Sequence, residues 1–164
     1  MFITAQIIGL LGIIALIHSF KENNKSFLLK YQTLSNLLFA IQYIFLGAYS
    51  GCYVSITCTI RNLIFSKHEN KTPKIYLILV ILSMLILTKL SYKGPISFLP
   101  CIGSILFSIC LSGKNLTLTR ISEAIASILY ILYNIKVLAI TGIIFNTIEL
   151  ISSLVAIYKH DLKK

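Results

Sequence analysis

The sequence predicts an all-α membrane protein with seven transmembrane helices, and three observations lead to this fold class. First, 57% of the 164 residues are hydrophobic and 12% are charged, whereas soluble domains are about half apolar and about a quarter charged. Second, the apolar residues form seven segments separated by short polar breaks. Third, alternate breaks differ in their content of Lys and Arg. A small chain cannot bury this much apolar surface in its own core, so the excess predicts contact with lipid.

Each of the seven segments is long enough, at about 1.5 Å per residue, to cross or nearly cross a hydrocarbon layer of about 30 Å. The first lacks a preceding basic residue and a cleavage site, so it is predicted to be a retained span and not a signal peptide. Within the fifth, Pro100 predicts either a kink or a relaxed outer turn. The predicted spans are 1–20, 27–47, 49–66, 75–89, 96–111, 116–135 and 137–158.

The basic residues predict the orientation of these spans. With the N-terminus outside, eleven basic residues fall on the cytoplasmic side, namely Lys21, Lys25, Lys30, Lys67, Lys71, Lys74, Lys114, Arg120, Lys159, Lys163 and Lys164. Three fall outside, namely Lys89, Lys93 and Lys136. Because short cytoplasmic loops collect Lys and Arg, we predict an outer N-terminus and a cytoplasmic C-terminus. The net charge of +10 then reflects topology, and without a contiguous basic patch nucleic-acid binding is not predicted.

Two polar stripes, 91 residues apart, predict an internal repeat. The last span, taken as the one strongly apolar segment with a carboxylate, carries a stripe on one helix face: Gly142, Asn146, Glu149 and Ser153. The third span repeats this spacing: Gly51, Ser55, Cys58 and Asn62. We therefore predict a 3+1+3 arrangement of two parallel triple-helix repeats. The units are a first repeat (1–66), a linker with the fourth helix (67–93), a second repeat (94–158) and a basic cytoplasmic tail (159–164).

Seven residues are predicted to form a solute site between the repeats, near the bilayer midplane. They are Ser55, Asn146, Glu149, Arg61, Asn36, Tyr130 and Asn134. Glu149 is predicted to couple to protons or to contact solute, because an ionised carboxylate inside a membrane costs a few kcal/mol. Its alternative is a protonated side chain that is hydrogen-bonded to a neighbouring helix.

The other members of this predicted site also have two interpretations. Arg61 either pairs with the carboxylate of the last span, or binds an anionic solute, or extends to the inner interface. Ser55 and Asn146 either bind solute or join helices. Tyr43 and Asn134 either line the cavity or belong to a belt at the outer interface.

Neither a metal site, nor a cofactor, nor an enzyme is predicted. The four cysteines form no CxxC pair and have no histidine at ligand spacing, so we expect small packing residues. A disulfide between Cys52 and Cys101 stays an alternative. Walker, GxSxG and HExxH motifs do not occur. The predicted partners are the lipid bilayer, a small polar solute and protons, and a homo-oligomer stays open.

Short motifs occur in a characteristic order along nearly the whole chain. They are Phe45-Leu46-Gly47 with Tyr49, Ile60-Arg61, Leu99-Pro100 with Gly103, and Asn134 before the last span. Together they resemble the YgjV family of bacterial inner membrane proteins. The resemblance implies a multi-pass protein of the bacterial inner (plasma) membrane and brings no settled activity with it.

The 3+1+3 plan is also similar to that of SWEET, semiSWEET and PQ-loop proteins, which move small solutes by rocking two triple-helix bundles. This resemblance implies alternating-access transport of a small polar or anionic metabolite. It implies solute contacts at Ser55 and Asn146, or alternatively at Asn62 and Ser153. The chain departs from that group in lacking a Pro-Gln motif and Trp and in retaining only Pro100 of the proline tetrad. A non-transporting receptor or scaffold is the alternative function.

Overall fold

The computed structural model describes residues 1–19, 25–67, 73–113 and 115–159. Within these ranges the chain forms seven α-helices, one short 3-10 helix and no strand, so the all-α prediction is confirmed. The helices are α1 (Phe2–Ser19), α2 (Lys25–Phe45), α3 (Tyr49–Ser66), α4 (Lys74–Leu90), α5 (Leu99–Ser112), α6 (Leu116–Val137) and α7 (Ile140–Ile157).

The distribution of side chains is the reverse of that in a soluble protein. Large apolar side chains such as Leu10, Leu79 and Ile144 are about half exposed on the outer helix faces. Polar side chains, including Gln42 and Asn134, are completely buried. Soluble proteins bury apolar residues and expose amides, and large exposed apolar patches mark membrane or protein contacts. This arrangement suits a chain whose solvent is lipid.

Three segments are long and apolar enough to cross a membrane, namely Pro95–Ser112, Leu116–Val137 and Ile140–Ile157. The segment Phe2–His18 is a shorter apolar helix. The other described helices do not meet the same length and hydropathy requirements, so seven crossings stay a prediction for them.

Contacts between helices are concentrated within α1–α3 and within α5–α7, which are the two helix groups named below. In one group α2 packs against both α1 and α3, and in the other α6 packs against both α5 and α7. Between the groups, α1 contacts α7 and α3 contacts α5. Helix α4 lies against α3 and α5.

The α2–α3 and α6–α7 turns have the same backbone geometry. Gly47 in the first has φ 65°, and Leu138 in the second has φ 57°. The next residue closes each turn: the N–H of Ala48 donates to the Tyr43 carbonyl over 2.9 Å, and that of Ala139 to the Asn134 carbonyl over 3.0 Å. A left-handed residue at a helix C-terminus is usually Gly, so Leu138 holds a conformation that its side chain disfavours.

We name the two ends of the helix bundle after residues in their turns. The turn at Gly47, residues from the segment 91–97 and the turn at Leu138 line one shared surface cavity, and this is the Gly47 end. The opposite end, where α3 ends before Lys67, is the Lys67 end. In the predicted orientation the Gly47 end is outside.

Pro100 lies in the first turn of α5, directly after the 3-10 helix Pro95–Phe98. Proline is tolerated there because the N–H groups of a first turn have no partner within the helix. Pro100 therefore lies at a helix start and not in a helix interior. The predicted alternative of a Cys52–Cys101 disulfide is not realised, since both thiols are free.

Candidate functional site

A central cavity of about 80 Å³ lies between the two helix groups. A buried water needs roughly 10–15 Å³ on this measure, so the cavity has room for several waters or a small solute. All seven residues predicted for the solute site line it, namely Ser55, Asn146, Glu149, Arg61, Asn36, Tyr130 and Asn134.

Most of the lining consists of residues that lie 91 positions apart in the chain. Sixteen of the twenty lining residues form eight such pairs: Leu16 with Phe107, Gln32 with Glu123, Ser35 with Ala126, Asn36 with Ser127, Phe39 with Tyr130, Tyr43 with Asn134, Ser55 with Asn146, and Cys58 with Glu149. The other four are Arg61, Ser104, Gly142 and Phe145. Helices α2, α3, α6 and α7 thus each present one face to the cavity.

A chain of hydrogen bonds follows the cavity from the Gly47 end toward the carboxylate of Glu149. The Tyr43 hydroxyl donates to Asn134 Oδ1 over 2.7 Å, and Asn134 Nδ2 donates to Asn146 Oδ1 over 3.1 Å. Asn146 Nδ2 in turn donates to Glu149 Oε2 over 3.2 Å. Asn134 and Asn146 each accept one hydrogen bond at Oδ1 and donate one from Nδ2. The position of the Tyr43 hydroxyl is therefore linked to the carboxylate of Glu149.

Two alternatives considered from the sequence are wrong for these residues. Tyr43 is 2% exposed and Asn134 is fully buried, so neither belongs to an interfacial belt. The described partner of the Glu149 carboxylate is Asn146 of its own helix, so the alternative of a bond to a neighbouring helix is not realised.

Further hydrogen bonds close the Gly47 end above this chain. The Tyr133 hydroxyl lies 2.9 Å from Ser50 Oγ and accepts from the N–H of Gly51 over 2.9 Å. Gln42 Nε2 donates to Thr141 Oγ1 over 2.7 Å, and the Tyr43 and Tyr133 rings meet edge to face at 5.8 Å. These contacts join α2 and α3 to α6 and α7, which separates the central cavity from the Gly47 end.

A second cavity lies on the other side of the Tyr133 ring. It measures about 490 Å³, and its lining includes Tyr133 with the two lysines Lys93 and Lys136. Lys93 Nζ donates to the Gly47 carbonyl over 3.1 Å and lies 4.9 Å from the centre of the Tyr49 ring. Tyr133 thus lines the second cavity, and Tyr43 lines the central cavity. The contact between these two rings lies between the cavities.

Arg61 is a buried cation held by neutral groups. It is 4% exposed, so the predicted alternative of extension to the interface is wrong. Its Nε and Nη2 donate to Asn62 Oδ1 over 3.0 and 2.8 Å, and Nη1 donates to Ser108 Oγ over 3.0 Å. The guanidinium also lies 5.0 Å from the centre of the Phe107 ring. Within the described residues it forms no salt bridge, so the predicted pairing with Glu149 is not direct.

Glu123 is a second carboxylate in the cavity lining, and the sequence interpretation missed it. It is half-buried on α6, and its Oε2 accepts a 3.0 Å hydrogen bond from the Ser153 hydroxyl. The statement that the last span alone carries a membrane carboxylate is therefore wrong. A signal was present, because Glu123, Ser127, Tyr130 and Asn134 have the same four-three-four spacing as the stripe on α7.

Several polar side chains face the cavity without a partner in the described part of the chain. The hydroxyl of Ser127 is buried and makes no hydrogen bond. The side chains of Ser55 and Asn36 also line the cavity, and the described contacts use neither. Tyr130, in contrast, lies 2.7 Å from Ser104 Oγ. The cavity therefore offers donors and acceptors that a polar solute could use.

The alternative pair Asn62 and Ser153 lies behind the lining and not in it. Asn62 holds the guanidinium of Arg61, and Ser153 holds the carboxylate of Glu123. Of the two pairs drawn from the SWEET resemblance, only Ser55 and Asn146 reach the cavity. Asn62 and Ser153 are suited to position the charged groups.

Comparison with known proteins places the chain in a membrane context. The family model Imp-YgjV, described as a bacterial inner membrane protein, matches residues 3–164. Comparisons with curated proteins and with solved structures gave no match.

Proposed function

The chain belongs to the Imp-YgjV family of bacterial inner membrane proteins, and on this premise we propose that it transports a small polar or anionic metabolite by alternating access. The observation that carries the proposal is the cavity lining. Equivalent positions of two helix groups surround a polar space deep inside an apolar bundle. Polar and ionisable groups inside a membrane are costly and mark solute or ion pathways.

Several features support the two triple-helix repeats that this mechanism needs. Helices α3 and α7 are both 18 residues long and start 91 residues apart. The two left-handed residues, Gly47 and Leu138, have the same separation. A twofold axis along the bundle would superpose α1 on α5 and α7 on α3. It would therefore relate the α1–α7 contact to the α5–α3 contact, and both contacts are present. Substrate sites in such transporters lie between the repeats.

We assign the structure to the state that is closed at the Gly47 end. Tyr43, Tyr133 and Gln42 form hydrogen bonds between the groups there. From this layer the cavity extends toward Gln32 and Glu123, which lie near the Lys67-end starts of α2 and α6. With the predicted orientation this is an inward-facing state, and the second cavity then provides access from outside.

Glu149 is proposed to be the coupling site for protons. Its carboxylate ends the hydrogen-bond chain that begins at Tyr43 in the closed layer. A change in the charge of that carboxylate alters the strength of the Asn146 hydrogen bond and, through the chain, the stability of the closed layer. This link gives a physical route from proton binding to the opening of one end.

A flux assay tests the proposal. Purified protein is reconstituted in proteoliposomes and supplied with a bacterial metabolite extract, and the solutes that accumulate are identified by mass spectrometry. We expect saturable accumulation of at least one small polar solute. The double variant Asn146→Ala/Glu149→Ala should lose it, because both residues line the cavity.

The matched control is Thr147→Ala. Thr147 lies on the exposed face of α7, and its hydroxyl donates only to the Ile143 carbonyl of the same helix, so transport should persist. Flux that survives the double variant would contradict the site. A protein that accumulates no solute would favour the receptor or scaffold alternative.

A further inference from the structure

From the charges around the central cavity, we propose that the transported solute is a small zwitterion that carries both an ammonium and a carboxylate group, such as a small α-amino acid. The inference rests on the proposed transport function and specifies its substrate class. Its basis is one buried guanidinium, Arg61, in the same lining as two carboxylates, Glu123 and Glu149.

Arg61 is prepared to bind a carboxylate. A guanidinium has five N–H donors, and three of them bind Asn62 and Ser108. Two N–H donors are therefore left, and no described carboxylate forms a salt bridge with them. Asn62 and Ser108 fix the plane of the group, and a fixed guanidinium binds carboxylates through paired hydrogen bonds.

The two carboxylates are prepared to bind an ammonium group. Glu123 and Glu149 each use one oxygen, Oε2, for a hydrogen bond from Ser153 and Asn146 respectively. The other oxygen of each has no described hydrogen-bond partner. Both acidic residues belong to the α5–α7 group, whereas Arg61 belongs to the α1–α3 group. Opposite charges of one bound solute would thus contact opposite helix groups.

The arrangement selects against solutes with a single charge. A simple anion at Arg61 would share the cavity with two carboxylates, and a simple cation at those carboxylates would share it with a guanidinium. Like charges in a space of low dielectric repel strongly. A zwitterion can place its carboxylate at the guanidinium and its ammonium group at the two carboxylates. The buried hydroxyl of Ser127, which has no described partner, offers a further hydrogen bond. By the 91-residue separation of the repeats, Arg61 corresponds to position 152 of α7, about one helical turn from Glu149.

The test measures binding and not transport, so that it is independent of the flux assay. Thermal unfolding of the purified full-length protein is followed with glycine, L-alanine or L-serine. Each is compared with its amine (methylamine, ethylamine, ethanolamine) and its acid (acetate, propionate, 3-hydroxypropionate). We expect at least one amino acid to raise the unfolding temperature. Its two analogues, each lacking one charged group, should bind about 10-fold to 100-fold more weakly.

Variants assign each charge to its residue. Arg61→Gln should remove the preference for the amino acid over its amine, and Glu149→Gln or Glu123→Gln should reduce the preference over its acid. Arg61→Lys keeps the positive charge but loses the paired N–H donors of the guanidinium, so it should bind the amino acid with intermediate affinity. It also serves as the test variant if Arg61→Gln does not fold. Lys136→Gln, which removes a cation outside the central cavity, should bind like the wild type.

Two results would overturn the zwitterion while leaving transport intact. One is an amine or acid analogue that binds as tightly as its amino acid. The other is no binding of any amino acid by a protein that accumulates a different solute in the flux assay. If the protein binds none of the probes and accumulates no solute, both this inference and the proposed function fail.

Discussion

Replacing Gly9 with leucine should strongly reduce transport while leaving the protein folded. A side chain at this position of α1 would overlap Thr141 Oγ1 and the Gln42 side chain, which together help to close the Gly47 end. Overpacking of this kind costs about 1–3 kcal/mol. The cost falls on the closed state alone, because the groups separate there when that end opens. Flux should therefore fall by about 10-fold to 100-fold, since about 1.4 kcal/mol corresponds to one factor of ten.

The control for Gly9→Leu is Leu10→Phe, which enlarges a side chain on the exposed face of the same helix. It should transport at the wild-type rate. Size-exclusion chromatography and helical circular dichroism check that both variants are folded. Normal flux in a folded Gly9→Leu protein would show that the Gly47 end does not need to close.

Replacing Asn134 with leucine should have the largest effect on stability. Its side chain joins Tyr43 to Asn146, and both partners are buried. Removing the amide leaves a buried hydroxyl and a buried amide oxygen each short of a partner. Each such loss costs about 1–3 kcal/mol in proteins, and hydrogen bonds between membrane helices average nearer 0.6 kcal/mol. We expect a total loss of about 1–4 kcal/mol in the free energy of unfolding.

A double-mutant cycle separates this bond from general damage. Tyr43→Phe removes the donor to Asn134, so combining it with Asn134→Leu should cost less than the sum of the two single changes. Tyr49→Phe, an exposed tyrosine near the same end, serves as the control and should cost little. Additive losses in the cycle would show that Tyr43 and Asn134 are not coupled.

Much of the candidate site could be predicted because helical spacing determines which residues share a face. Gly142, Asn146 and Glu149 occupy one face of α7, and all three line the cavity. The 91-residue separation then identified Ser55 and Cys58 as their counterparts on α3. Neither inference needed any knowledge of how the helices pack. The spacing of residues along one helix and the 91-residue offset between two segments can both be read from the sequence.

The contacts between helices could not be predicted in the same way. Arg61 lies near the end of α3, where a long cation normally reaches the interface. It stays buried because Ser108 of α5 and the ring of Phe107 surround it. The place of Glu123 likewise depends on α7, because the hydroxyl of Ser153 donates to its carboxylate. In both cases a residue from a distant part of the chain decides where the charge lies.

The most direct test of alternating access is the accessibility of Cys58 from the two faces of the membrane. Cys58 lines the central cavity, and replacing Cys52, Cys101 and Cys110 with alanine leaves it as the single thiol. Membrane-impermeant thiol reagents are applied to right-side-out and to inverted vesicles. We predict that Cys58 is modified from both faces when this single-thiol variant retains Gly9. With Gly9→Leu added, modification should come mainly from the Gly47 end. Modification from one face alone, or from neither, would contradict a cavity that opens alternately to the two sides.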